Sequence, residues 1–325
     1  MASKASRKII VGTTVFGLWD TMRPYTTLDN RLSEIAKRLD EMSGEAQKNY
    51  GRGLDIAVFP ENSLNRLSSP KRTLKERSVV FDETLKKTLG EMAKTHNTWL
   101  IVSGNIREQE DADVYNVALL FDRTGTLSGI YRKVYTIADV DGKAVEGGKI
   151  PGTEFPVFET EFGKIAMLVC FDMGYDDLME AYAKQGAEIV FWPSMSPQTF
   201  IPRCYARRLG FYVVSSTPRK PAVVIDPLGE FVARLDTEGA LVSEIALDYR
   251  LIPWQHHLNN GEILTERYGE GVGFRYYNDE DTGIFWSNNP EISIDQMMEE
   301  TELLTNDALR EKTRVVREKI LKEKK

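Results

Sequence analysis

Between residues 8 and 250 the chain is built from short apolar, β-branched runs, and two different kinds of connection join them. Lys8 to Phe16, Leu54 to Phe59 and Trp99 to Ser103 read as strands separated by helical stretches. In the first of those stretches Leu28, Leu32, Ile35, Leu39 and Met42 recur at steps of four and three, which places them on one helix face. Leu85, Leu89 and Met92 mark a second helix. Tyr115 to Asp122 and Gly129 to Val134 instead flank a tight turn at Arg123-Thr124-Gly125, and Val157 to Thr160 and Lys164 to Cys170 flank Glu161-Phe162-Gly163. Helices are expected near Asp176 to Gln185 and Gln198 to Leu209, with strands at Glu188 to Trp192, Phe211 to Ser216, Ala222 to Asp226 and Glu230 to Arg234. Crossovers and hairpins in one chain predict a layered α/β protein with mixed sheets.

Residues 1–250 read as one domain and 251–325 as a C-terminal extension. In the extension, Trp254 to Asn289 is rich in Gly, Asn and aromatics and reads as irregular, whereas Glu299 to Lys325 is charged and helical. The extension reads as a surface tail ending in a solvated helix, or as a tail that packs on a partner subunit, since Tyr276, Phe285 and Trp286 need cover.

A net charge of -7 argues against a nucleic-acid partner. Two cysteines give no disulfide framework, and no apolar run has the length of a membrane span, so a cytoplasmic protein is expected. The three histidines, His96, His256 and His257, show no metal-ligand spacing. There is no Gly-x-Ser-x-Gly elbow, phosphate loop or dinucleotide fingerprint. Neither metal nor cofactor is expected.

Three residues stand where apolar runs end. Cys170 closes IAMLVC, at a turn into a helix where α/β proteins place chemistry, although a buried free cysteine is often only a small hydrophobe. Glu61 follows Pro60 beyond a buried strand, and Lys133 lies in YRKVY. Each, taken alone, also reads as a solvated charge. Cys204, inside a predicted helix, is better explained by packing.

Taken in order, FPEN at 59–62, YRKVY at 131–135, PGTEFPVFETEFGKIAMLVCFD at 151–172, GAEIVFWPS at 186–194, FYVVSS at 211–216 and VVIDPLGE at 223–230 resemble the nitrilase superfamily of carbon–nitrogen hydrolases. The likeness spans residues 8–250. It implies a four-layer α-β-β-α sandwich, often doubled by dimerisation, so a homodimer or higher homo-oligomer is expected. It also implies a Glu-Lys-Cys triad at Glu61, Lys133 and Cys170. A second glutamate maps best to Glu146, with Glu154 and Glu159 as weaker matches. The substrate is a small molecule with an amide or carbamoyl group; nitrile hydrolysis, acyl transfer and an inactive scaffold are the alternatives.

Without a histidine in these segments, a carboxylate must serve as base. An ordinary glutamate near ~4.3 and a thiol near ~8.5 differ by roughly 5–6 kcal/mol for proton transfer. Burial of Glu61 is expected to raise its pKa, and Lys133 with a helix N-terminus to lower that of Cys170. The oxyanion falls to Lys133 and the Phe171 N–H. Tyr135, Trp192 and Met195 are expected to line the pocket or simply to pack.

The sequence departs from its family after the cysteine. Amidase-type members read Cys-Tyr-Asp-x-Arg-Phe-Pro-Glu, whereas here Phe171-Asp172-Met173-Gly174-Tyr175-Asp176-Asp177 follows. The Cys-Trp-Glu of nitrilases proper is absent, which favours an amide. The arginine that would grip a carboxylate is missing; Arg203 or Arg207 could substitute, although each reads first as part of a solvated helix face.

Overall fold

The computed structural model describes residues 6–17, 27–65, 73–255 and 261–324. Residues 9–245 form one compact unit; residues 6–8 join 246–324 in another.

The larger unit opens with β1 (Lys8–Val15) and α1 (Leu28–Tyr50), continues through β2 (Ile56–Val58), a short α2 (Leu74–Arg77), β3 (Val79–Val80) and α3 (Glu83–Thr95), and reaches β4 (Trp99–Arg107), β5 (Tyr115–Phe121) and β6 (Leu127–Arg132). Helix α1 starts where the sequence supplies a reciprocal cap: the Thr27 hydroxyl accepts from the Asn30 N–H, and the Asn30 side chain accepts from Thr27. It ends at Gly51 in the left-handed conformation. Between these caps Ile35, Leu39, Met42 and Ala46 are wholly buried against Ile10, Ala57, Phe59 and Leu100. Each large aliphatic side chain buried there stabilises by roughly 1.5–3 kcal/mol.

The second half runs through β7 (Val157–Thr160), β8 (Gly163–Met167), α4 (Asp176–Lys184), β9 (Ile189–Pro193), α5 (Phe200–Leu209), β10 (Tyr212–Ser216), β11 (Ala222–Ile225), β12 (Phe231–Leu235) and β13 (Gly239–Ala246). One sheet has the order β13-β1-β2-β4-β5-β6, with β3 beside β4; the other is β12-β11-β10-β9-β8-β7. Both are mixed: β1, β2 and β4 are mutually parallel with β3 parallel to β4, as are β8, β9 and β10, whereas β5, β6, β7, β11 and β12 pair antiparallel. Strand β2 meets β9 and β10 face to face, and the Thr13 hydroxyl donates to Ser215 O across the sheets. Helices α1 and α3 cover the first sheet, while α5 lies against β10 and β11 with α4 beside it. This is the expected α-β-β-α sandwich. Its parallel inner strands end in the loops that carry Glu61 and Cys170.

The smaller unit corrects the expectation of an irregular stretch after Trp254. It holds β14 (Tyr249–Pro253), α6 (Glu262–Tyr268), β15 (Val272–Tyr277), β16 (Thr282–Ser287), α7 (Ile294–Glu300) and α8 (Asn306–Glu323). β14, β16 and β15 form an antiparallel sheet. Its glycines, which look like breakers, make room for rings: a Cβ on Gly273 would stand 2.2 Å from the Trp286 indole nitrogen, and one on Gly283 would stand 2.5 Å from the Phe285 ring. Phe285 is covered within the unit itself, stacked on Phe274 at 5.2 Å and packed with Ile252, Leu264, Met297 and Met298. No residue of α8 is buried. His256 and His257 lie outside the described residues. Among the described residues no helix is long and apolar enough to cross a membrane.

Candidate active site

Strand β8 stops at Met167, three residues before the cysteine. Cys170 instead opens a short 3₁₀ turn, Cys170–Gly174, with a backbone φ of +50°. That is the left-handed region, which costs an L-residue roughly 1–2 kcal/mol. Both flanks of the residue are fastened. The Val169 N–H donates to Asp172 Oδ2 at 3.0 Å, and the Trp192 indole N–H donates to Cys170 O at 2.9 Å. Trp192 is 1% exposed and supports the turn through that bond.

Glu61 stands in the loop after β2, and Lys133 one residue past β6. Their side chains meet with those at 4% and 2% exposure: Lys133 Nζ lies 3.3 Å from Glu61 Oε1 and 2.5 Å from Glu146 Oε1. Glu61 also accepts from Asn116 Nδ2 at 2.7 Å and from the Met195 N–H at 3.1 Å. Lys149 Nζ holds the outer oxygen of Glu146 at 2.8 Å. The thiol of Cys170 feels the charges of both Glu61 and Lys133, with the Met195 N–H and Ser194 close enough to favour its ionised form. The structure therefore brings together all four residues singled out in the sequence. Glu154 and Glu159 stay out of this cluster: both are exposed, and Glu159 pairs with Lys164.

Lysine between two glutamates is an ion cluster shielded from water. Burial alone would lower the Lys133 pKa, but Glu61 and Glu146 outweigh it and the ammonium is held well above its ordinary range. Burial would raise Glu146, yet Lys133 and Lys149 bring it down to about 2. For the thiol the balance reverses the sequence expectation. Burial, then the negative charge of Glu61, push Cys170 up to about 11, and Lys133 recovers only part of that. At neutral pH only about one thiol in ten thousand would be ionised. A thiol so raised rests neutral at neutral pH, and it could attack only if a neighbouring base took its proton.

The surroundings sort the remaining expectations. Phe171 is 43% exposed, and its N–H has no acceptor among the described residues. Tyr135 stacks on Tyr175 at 3.5 Å with Phe171 edge-on to Tyr175, giving an aromatic rim beside the thiol. Met195 is half-buried and contributes its backbone N–H. Arg203 is not available for a substrate carboxylate: it donates to Gly229 O and pairs with Glu230 at 2.6 Å. Arg207 is exposed on α5. Cys204 is exposed as well, which overturns the packing reading; α5 turns that position away from the sheet.

Asn116, Lys149, Asp172 and Ser194 belong to the cluster and its supports, and the sequence reading did not single them out. Asn116 offered one signal, a polar residue inside an otherwise apolar strand. Among the described residues no group of three or more His, Cys, Asp or Glu is placed to hold a metal.

Known proteins resemble this chain in sequence and in fold. The family model for carbon–nitrogen hydrolases matches residues 22–254. An omega-amidase of Homo sapiens is 30% identical over 212 residues, covering 59% of this chain and 76% of its own. One from Xenopus tropicalis is 29% identical over 239 residues, covering 67% and 84%. Among solved structures, Nit3 of Saccharomyces cerevisiae, a member of branch 10 of the nitrilase superfamily, superposes with a TM-score of 0.62 at 21% identity over 76% of this chain and 93% of its own. An amidase from Nesterenkonia sp. gives 0.58 at 18% over 76% and 93%. At those identities the two structures speak for the fold alone. The match of the family model over more than two thirds of the sequence, with relatives of this similarity, shows that this chain belongs to the carbon–nitrogen hydrolases and is an enzyme acting on amide bonds.

Proposed function

We propose that the amide is cleaved through a thioester on Cys170, with Glu61 as the shuttle for every proton. The observation that carries this reading is the buried cluster in which Lys133 touches both glutamates beside a neutral thiol. As the sulfur attacks the carbonyl carbon, the S–H proton passes to Glu61 and the carbonyl oxygen becomes an oxyanion. Lys133 and the unpartnered Phe171 N–H stabilise that charge. The protonated Glu61 then gives its proton to the nitrogen as the C–N bond breaks, and ammonia or an amine leaves. Water attacks the thioester while Glu61 takes one of its protons. The C–S bond breaks and the sulfur recovers the proton from Glu61. Glu146, ionised throughout, fixes Lys133 and offers an acceptor to the substrate N–H groups.

The test supplies the enzyme with primary amides, carbamoyl compounds and nitriles, measures ammonia, and quenches turnover in acid for mass analysis. Ammonia from amides is expected, with the acyl group recovered on the peptide holding Cys170. Turnover with no acyl adduct on that peptide would overturn the thioester.

We also infer a homo-oligomer. Leu309, Val316 and Ile320 follow one another on one side of α8 at heptad-like spacing, with nothing buried beneath them. Arg310, Lys312, Arg317 and Lys319 border that stripe. Residues 306–325 carry eight basic and four acidic side chains, leaving 34 and 45 for the rest of the chain. Two copies of α8 would repel along such a border, whereas the acidic remainder of a second subunit would attract it. Light scattering at a monomer mass would rule this out.

A further inference from the structure

We propose that Asp172 is a positioning residue whose buried carboxylate ties the segment bearing Lys133 to the turn bearing Cys170, setting the ammonium and the sulfur at their working separation. The inference rests on the roles given above to those two residues.

Asp172 has no exposed surface and three donors converge on it. The Tyr131 hydroxyl donates to Oδ2 at 2.7 Å and the Tyr135 N–H to Oδ1 at 2.7 Å. The third donor is the Val169 N–H, to Oδ2 at 3.0 Å. Tyr131 and Tyr135 stand two residues before and two after Lys133, and Val169 immediately precedes Cys170. One carboxylate thus brackets the lysine and anchors the entry to the nucleophile. The Trp192 N–H fastens the exit, at Cys170 O. A cysteine at a positive φ stays there only if its surroundings over-determine it, and these bonds supply that constraint.

An ionised carboxylate in this place is expensive for folding. Burial raises Asp172 to about 6, although the N–H groups of Val169 and Tyr135, the Tyr131 hydroxyl and the charge of Lys133 all pull the other way. Tyr131, Tyr135, Tyr182 and Lys133 are the titratable groups that face it. Both tyrosines at its back, Tyr131 and Tyr182, are pushed well above their ordinary range, first by burial, and stay neutral wherever Asp172 titrates. The raised value means the protonated form is favoured in the folded chain, so stability from this group is greatest below about 3.8 and is lost as pH rises through about 6. The acceptor geometry needs the opposite form. Activity supported by Asp172 therefore falls as pH drops below about 6, while its contribution to stability rises.

The experiment compares the full chain with Asp172→Asn and Tyr131→Phe, measuring kcat and KM for an amide from pH 4.5 to 8 together with melting temperature. Asp172→Asn is expected to lower kcat about a hundredfold, as for roughly 1 Å of misplacement, with KM within about threefold. It should also erase the acid limb near 6. Tyr131→Phe removes one donor, so the same limb should move to higher pH. A limb that belongs to Glu61 would survive in both. If kcat stays within about threefold of the parent in Asp172→Asn, or if the limb stays in place in Tyr131→Phe, the proposal is overturned. The second variant decides the matter where the first does not fold. Loss of the acyl adduct on Cys170 in the parent would count against the thioester reading, whereas unchanged kinetics of the variants beside an intact adduct would count against Asp172 alone.

Discussion

Cys170→Ala is expected to lower amide turnover by roughly a million-fold, the scale seen when a covalent nucleophile is removed, and to leave the fold intact. The neighbouring hydroxyl of Ser194 is in no position to replace the sulfur, being wholly buried and committed: its oxygen donates to Ser196 O at 3.0 Å and accepts the Ser196 N–H at 2.9 Å. Lys133, Glu61 and Phe171 N–H would still bind and polarise a carbonyl, so substrate affinity should outlast turnover. Alanine makes the same demand on a left-handed backbone as cysteine does, so stability should change by no more than about 1 kcal/mol. Ammonia release and thermal unfolding on the same preparation check both halves. Turnover within a hundredfold of the parent would exclude Cys170 as the nucleophile.

Lys133→Met carries the second large effect, and it acts on stability as well as rate. Methionine fills most of the volume but leaves Glu61 and Glu146 without the ammonium they share. Removing one partner of a buried ion pair costs about 3–5 kcal/mol, because the remaining charge is desolvated and unpaired. Glu146 retains Lys149, and Glu61 retains Asn116 and the Met195 N–H, so the lower end of that range is expected. The rate should fall a further ~10²–10³-fold through the lost oxyanion donor. The pH dependence has a definite sign. Glu146 is depressed to about 2 from 4.5, so the stability it contributes is present above 4.5 and disappears as pH falls toward 2. The gap between parent and variant should therefore be widest near neutrality and narrow in acid. Urea unfolding at pH 7 and pH 4 measures it; a gap that is the same at both would show that the cluster is not the source.

What the sequence revealed and what it hid divide along a physical line. Apolar runs and turn residues are local properties, and they located most strands of both large sheets, missing the two-residue β3 and the edge strand β13. Glu61, Lys133 and Cys170 each end or interrupt such a run, but taken alone each also read as an ordinary residue; it was the ordered resemblance to a family that singled them out together. The sign of the thiol's shift was not visible, since burial and the approach of Glu61 depend on segments more than a hundred residues apart. Nothing in the sequence disclosed that the Trp192 N–H is spent on Cys170 O. The sheet of β14 to β16 was missed for a similar reason. Gly273 and Gly283 suggest loops until the Trp286 and Phe285 rings lying over them are seen. Arg203 offered charge without disclosing that the β11–β12 turn consumes it.

The left-handed backbone at Cys170 has an implication for anyone improving this protein's robustness. Glycine is the residue that position would choose on conformational grounds, and Cys170→Gly relieves about 1 kcal/mol of torsional penalty. A library ranked by heat tolerance would thus reward an exchange expected to abolish turnover. Selection for durability and selection for turnover pull this site in opposite directions, so thermostabilised descendants must be screened on substrate from the first round.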